Sequence, residues 1–274
     1  MTWTLPEPML STPVPKPELR PGWAGEPKWD GFRAGVSVNA GRVVLRSRRG
    51  TEMGPAFPEV VAGAVQLSEA TALDGELVVW DAAGRLAFER LQNRLARRGA
   101  GAARAAEEWP AHFVAFDLLR LSGTDTTRWP YQRRRAALES VFASRRLSAP
   151  WALCPSTTEA DVVREWLTWA SVGMEGVVFK RLDDAYRPSV RGWQKYKVRE
   201  TSEAIVGAVT GSPASPARCC SAGTTTKAAF STSAAPPPSP GRQVLRSPAC
   251  SLRRGAVIPG RAGLSPPGGA PGRR

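Results

Sequence analysis

The hydrophobic pattern predicts short strands and amphipathic helices along the first two hundred residues or so, and then breaks off. Val36 and Val38, then Val43, Val44 and Leu45, flank Asn39-Ala40-Gly41 and predict a β-hairpin. Residues 113–119 form a mostly apolar run, which predicts a buried strand of a packed sheet; His112 opens it and is expected to be structural. Residues 73–80 predict an acidic turn at Asp74-Gly75 running into a strand, and residues 81–84 turn the chain back. Trp193-Gln194-Lys195-Tyr196-Lys197 alternates, so a strand there puts Lys195 and Lys197 on one face. Helical spacing covers residues 57–67, then Phe88, Leu91 and Leu95, then residues 131–142. A further helix is predicted from a Thr158 cap through Val163 and Trp166 to Val172. Residues 99–106 are small and read as a loop or a helix extension. Residues 1–25 are Pro-rich and predict an extended lead-in arm outside the folded unit.

Composition adds a partner class. A length of 274 residues allows one or two domains, and 42% hydrophobic residues are enough for a core. The net charge of +14, from 38 Lys+Arg against 24 Asp+Glu, favours polyanions, nucleic acid first; GC-rich coding would also enrich arginine. No run of 18 apolar residues predicts a membrane span. The N-terminus lacks a signal-peptide pattern, and a cytoplasmic location is expected. Cys154 is the only cysteine before Cys219, Cys220 and Cys250, and His112 is the only histidine, which argues against a Cys/His zinc site.

The candidate chemistry begins at Glu26-Pro27-Lys28-Trp29-Asp30-Gly31-Phe32-Arg33. A lysine of pKa about 10.4 is a poor nucleophile at neutral pH. Burial or nearby cations activate it. Taken alone, the stretch also reads as a charged surface turn. Arg46-Ser47-Arg48-Arg49-Gly50 suits a phosphate or ribose contact, or a solvated turn. Glu76 and Glu175 each stand near a strand start, where a carboxylate is costly without a cation or donors. Lys195 and Lys197 repel one another unless an anion lies between them.

In order, Lys28-Trp29-Asp30-Gly31-Phe32-Arg33, Ser47-Arg48-Arg49-Gly50, Asp74-Gly75-Glu76, Phe116-Asp117, residues 175–180 and residues 193–197 resemble the adenylation domain of ATP-dependent DNA ligases. That domain sits within the covalent nucleotidyltransferase superfamily, and the resemblance covers roughly residues 4–207. It implies an α+β fold of antiparallel sheets flanked by helices, with the nucleotide between them. It implies that Lys28 attacks the α-phosphate of ATP to form lysyl-AMP, and that AMP passes to the 5′-phosphate of a nick. Lys195 and Lys197 would hold the phosphate and help keep Lys28 unprotonated; Phe116 would stack on adenine, and Glu26 would help read its amino group. Arg33 and Arg48 would contact sugar and phosphate, Glu175 would bind Mg²⁺ or Mn²⁺, and Glu76 would contact ribose or assist with the metal. Nicked double-stranded DNA is the implied partner of a monomer, with repair or end-joining proteins as further partners. An RNA ligase or capping-type transferase is the nearer alternative, though the Ser-Arg-Arg-Gly and Trp-Gln-Lys-Tyr-Lys forms favour DNA. A non-catalytic basic nucleic-acid binder is the more distant one.

The resemblance also implies an OB barrel after the adenylation domain, but the composition does not continue into one. Residues 204–211 begin as a barrel strand should; residues 212–274 are rich in Pro, Gly, Ser and Arg, with Phe230 their one aromatic residue. The expected division is therefore an adenylation domain over residues 1–206 and a disordered tail over residues 207–274. In a shifted frame, codons for residues 219–240 permit LLGRYDDEGRLQYVGRTTPLS, and those for 257–274 permit HPWTGRSFSAGWGTRET. Both strings look like an OB domain, and they predict a frameshift near residues 212–218 and impaired nick sealing. A natural basic tail that binds nucleic acid is the alternative.

Overall fold

The computed structural model describes residues 3–169 and 173–198 with their side chains, and residues 205–212 and 215–222 as backbone strands. The chain divides after Glu200 into two units. In the first, chain order runs β1 (Leu10–Pro13), β2 (Trp23–Trp29), β3 (Phe32–Asn39), β4 (Arg42–Ser47), α1 (Pro58–Gly63), β5 (Thr71–Val79), α2 (Phe88–Gln92) and α3 (Gly99–Glu108). It continues with β6 (Ala111–Leu121), β7 (Thr124–Asp125), α4 (Tyr131–Arg145), β8 (Trp151–Leu153), α5 (Ala160–Trp166), β9 (Met174–Arg181) and β10 (Arg191–Lys197).

These strands make two sheets. The larger has the order β4-β3-β5-β6-β7, with β8 parallel to β6; the smaller has the order β1-β10-β9-β2, antiparallel except for β1. The β3–β4 hairpin turns at Ala40-Gly41, both left-handed at φ 49° and 71°. That geometry matches the twist of the flanking strands. Ala34, Val36 and Val38 alternate inward on β3. They join Leu73 and Leu77 of β5, Phe113 of β6 and Val60, Leu91 and Leu138 of the helices in the main core. The opposite face of the larger sheet meets the smaller one. Ala72 and Leu119 pack with Trp193 of β10, and Val78 and Val114 pack with Cys154 and Trp29. α5 covers the smaller sheet's other face through Val163 and Trp166.

Several sequence expectations change here. The lead-in arm is part of the fold, because β1 pairs with β10 and Met9 is wholly buried. Asp74-Gly75 is no turn: it lies inside β5, where a Cβ on Gly75 would stand 2.3 Å from the Phe113 ring. The Thr158 cap is absent. The Thr157 hydroxyl accepts from the Glu159 N–H, and α5 ends at Trp166; residues 170–172 lie outside the described residues. Leu95 falls beyond α2 and is exposed. Residues 99–106 belong to α3, which buries Ala102 and Ala105. His112 stands edge-on to Trp80 at 4.9 Å. Among the described residues no helix is long and apolar enough to cross a membrane.

In the second unit, β11 (Ile205–Ser212) pairs antiparallel with β12 (Ser215–Ala222). β11 coincides with the expected barrel strand, while β12 occupies residues for which no strand was predicted. The rest of the low-order tail, residues 223–274, lies outside the described residues.

Candidate functional site

Two glycines let the chain bring its charged residues together. Gly31 turns β2 into β3, and a Cβ there would lie 2.4 Å from the Leu77 carbonyl oxygen and 2.8 Å from Glu76 Cγ. The turn therefore lies directly against β5 beside Glu76. Gly176 pairs across β9 with Lys28 on one side and Lys197 on the other. Its φ is +154°, and a Cβ would fall 1.9 Å from the Tyr196 carbonyl oxygen. Glu175, one residue earlier, consequently takes both the Lys28 and the Lys197 ammonium groups as ion partners.

A cavity of about 590 Å³ opens beside this cluster. Glu26, Lys28, Arg33, Arg48, Glu76, Phe116 and Lys195 all line it, as do Lys180 and Trp193. Glu175 and Lys197 stand off its wall and join it through Lys28. Arg33 forks onto Asp74 with bonds of 3.1 and 2.6 Å, and its guanidinium lies 5.3 Å from the Phe116 ring centre and 4.8 Å from that of Trp193. Glu26 is buried. It accepts from the Tyr131 hydroxyl and pairs with Lys180 at 2.7 Å. Lys180 also donates to the Phe116 carbonyl at 2.8 Å, so one buried ammonium ties Glu26 to the strand bearing Phe116. A second cavity of about 370 Å³ adjoins the first and shares Ser11, Arg33, Arg48 and Lys195 with it.

The electrostatics correct one expectation. Burial disfavours the Lys28 ammonium, but Glu76 and Glu175 outweigh it, and its pKa stands above the ordinary lysine value. Lys197 does not hold Lys28 neutral, because its charge is matched by Glu175. The Lys195 pKa falls below the ordinary lysine value, through burial and the charges of Lys197 and Lys28. Burial pushes Glu76 up to about 7, with Glu175 and Asp30 adding to the rise against Lys28 and Arg33. Asp30 is raised by burial and by Glu175. Burial would raise Glu175 too, but its hydrogen bonds to Lys197 and Lys28 hold it below the usual carboxylate range.

Glu175 thus adds to the rise of both Glu76 and Asp30, while its own two lysine partners favour its ionised form. Among the described residues no three acidic, His or Cys side chains form a closed metal cage. The donor set instead suits a hard cation held by one or two carboxylates together with substrate phosphates and water.

Sequence reasoning proposed no role for Lys180, Asp74, Tyr131 or Trp193. Lys180 carried a signal, as a lone cation on the mostly apolar run of residues 176–180. Asp74 and Trp193 stood within the stretches that carry the resemblance but without a role of their own, and Tyr131 gave no signal, since the partners of all three lie far along the chain.

Residues 8–198 match the ATP dependent DNA ligase domain family. The chain is 39% identical over 201 residues to DNA ligase C2 of Mycolicibacterium smegmatis, covering 73% of this chain and 55% of the relative. It is 36% identical over 204 residues to the multifunctional non-homologous end joining DNA repair protein LigD of Mycobacterium tuberculosis, covering 73% and 25%. Among solved structures, mycobacterial DNA ligase D complexed with ATP and MES superposes with a TM-score of 0.60 at 30% identity, covering 79% of this chain and 67% of that one. The ligase domain of M. tuberculosis LigD gives a TM-score of 0.57 at 33% identity, covering 70% and 60%. The chain spans little more than half the length of DNA ligase C2. With its cleft assembled from the same stretch that the family match covers, this chain belongs to the ATP-dependent DNA ligases and carries their adenylation domain.

Proposed function

We propose that the protein transfers AMP from ATP to its own Lys28, then to the 5′-phosphate of a nicked DNA strand. The neutral Lys28 amine attacks the α-phosphorus. A nitrogen–phosphorus bond forms, the bond to pyrophosphate breaks, and pyrophosphate leaves. The 5′-phosphate next displaces lysine to give an adenylylated strand, and the 3′-hydroxyl displaces AMP to seal the nick.

The observation that carries this reading is one cavity lined by the Lys28 amine, the carboxylate of Glu76, the cations Arg33 and Lys195, and the ring of Phe116. Lys195, Arg33 and Arg48 would grip phosphate and sugar, with Lys197 behind them at Glu175. Phe116 offers a face for adenine and Glu26 an acceptor for its amino group. Glu175, with Glu76, would hold Mg²⁺ or Mn²⁺, which offsets charge on the phosphates. Burial, the largest single influence on Lys28, favours its neutral amine against the charges of Glu76, Glu175 and Asp30, which a bound cation would offset. A DNA partner is supported by relatives named as DNA ligases and end-joining proteins. The protein would act as a monomer in the cytoplasm, within repair. The proposal extends to the tail: residues 212–274 arise from a shifted frame, and nick sealing by the 274-residue chain is slow. Genomic sequencing across codons 205–225 decides the frame.

The test supplies ATP, Mg²⁺ and a nicked duplex bearing a labelled 5′-phosphate. Protein-bound AMP is expected first, then an adenylylated DNA strand, with little sealed product and weaker transfer to a nicked RNA strand. Preference for RNA would favour a capping-like or RNA-ligase reading, and absence of both adenylylated species would end the proposal. Brisk sealing would refute the scrambled-tail component alone.

A further inference from the structure

The amino-terminal arm reaches the cleft through a chain of buried hydrogen bonds. Met9 sits with Ala72, Leu119, Tyr186 and Trp193 in the cluster that joins the two sheets. Gly192 makes room for it, since a Cβ there would lie 2.1 Å from Met9 Cε. The Met9 backbone N–H donates to the Tyr186 hydroxyl at 2.9 Å. That hydroxyl donates to Asp74 Oδ2 at 2.7 Å. The same oxygen accepts from Arg33 Nη2 at 2.6 Å, while Oδ1 accepts from Arg33 Nε at 3.1 Å. Met9, Tyr186 and Asp74 are each no more than 3% exposed, so water does not compete along the chain. Arg33 is its cavity-facing end.

We propose that Tyr186 is a positioning residue for nucleotidyl transfer: its hydroxyl, oriented by the Met9 N–H, fixes the Asp74 carboxylate and thereby the plane of the Arg33 guanidinium beside the nucleotide. This inference rests on the function proposed above. A carboxylate held only by one guanidinium can rock with it. A third donor of fixed direction removes that freedom. Fork-shaped recognition of phosphate or sugar by arginine depends on the plane being set before the ligand arrives. Small misplacements of such groups cost large factors in rate. The arm also borders Lys195, since β1 pairs with β10 and places Pro13 across from it.

Tyr186→Phe keeps the ring that fills the cluster and removes only the hydroxyl. The full chain is compared with this variant, with Arg33→Lys and with the double variant. Thermal midpoint, lysyl-AMP formation against ATP concentration, and the side-chain Nε–H signal of Arg33 by NMR are measured. Tyr186→Phe is expected to stay folded and to lose about tenfold in the rate per ATP, the scale of one hydrogen bond to a charged group. In the Arg33→Lys background the same change should cost less than about twofold, because the group acted upon is gone. The Arg33 Nε–H signal should broaden or vanish in Tyr186→Phe. An equal loss in both backgrounds would reduce Tyr186 to a packing role, and a rate within twofold of wild type would overturn the inference. If wild type itself forms no lysyl-AMP, the functional reading fails, while an unchanged Arg33 signal would separately overturn the positioning role.

Discussion

Asp117→Asn probes the polar core behind the cleft. Asp117 and Arg134 are each no more than 1% exposed, and two bonds of 2.7 and 3.0 Å join them. Lys180 stands 3.9 Å from the same carboxylate. Removing one charge of such a pair strands the other, at a cost of about 3–5 kcal/mol. Arg134 keeps its bonds to the Trp129 and Asp184 carbonyls, and an asparagine oxygen can still accept from the Leu118 N–H, so the lower end applies. A loss of about 3 kcal/mol is a large share of a total of roughly 5–15. For a unit of this size it lowers the thermal midpoint by about 6–12 °C. Urea denaturation should give a lower midpoint with unchanged slope. The pH dependence has a definite sign. Burial would raise Asp117, but Arg134 and Lys180 hold its folded pKa below the ordinary carboxylate value. Its contribution is therefore complete above about pH 5 and is lost as pH falls through the folded pKa. The stability gap between wild type and variant should accordingly close on acidification. Asp183→Asn, whose pair with Arg181 is exposed, should change nothing measurable. A change below about 1 kcal/mol in Asp117→Asn, or a gap that widens in acid, would refute the account of this network.

Two other substitutions test how the cleft is built. Gly176→Ala would push a methyl to within 1.9 Å of the Tyr196 carbonyl oxygen and should destabilise the unit by more than about 2 kcal/mol by thermal melting; a neutral result would mean that β9 and β10 do not approach as described. Lys180→Met leaves the buried Glu26 carboxylate facing Tyr131, with Arg135 no nearer than 4.0 Å, and should lower the melting point sharply. Adding Glu26→Gln should restore much of that loss by removing the stranded charge, and a further fall would contradict the pairing.

Where strand and turn chemistry agree locally, the fold was legible. The Asn39-Ala40-Gly41 hairpin, the apolar run opening at His112 and the alternation that places Lys195 with Lys197 all have their causes within a few residues. β1 had no such signal: its four residues lack a period, and they are a strand only because β10 offers an edge. Gly75 read as a turn because the reason for a glycine there, the Phe113 ring, arrives from another strand. The members of the cleft were legible as residue types in order: of the nine predicted positions, seven line the cavity, and Glu175 and Lys197 stand off its wall. Their pairing was not legible. Sequence showed lysines near Lys28 but not that Glu175 would match Lys197, and so the direction of the Lys28 shift was missed. Lys180 meets Glu26 only after β2 pairs with β9.

The most direct measurement is the intact mass of the protein after incubation with ATP and Mg²⁺, followed by fragmentation to locate any added group. The account predicts a gain of one AMP, carried on Lys28, reversed by pyrophosphate and absent in Lys28→Ala. An unmodified wild-type mass, or AMP carried on another residue and persisting in Lys28→Ala, would contradict it.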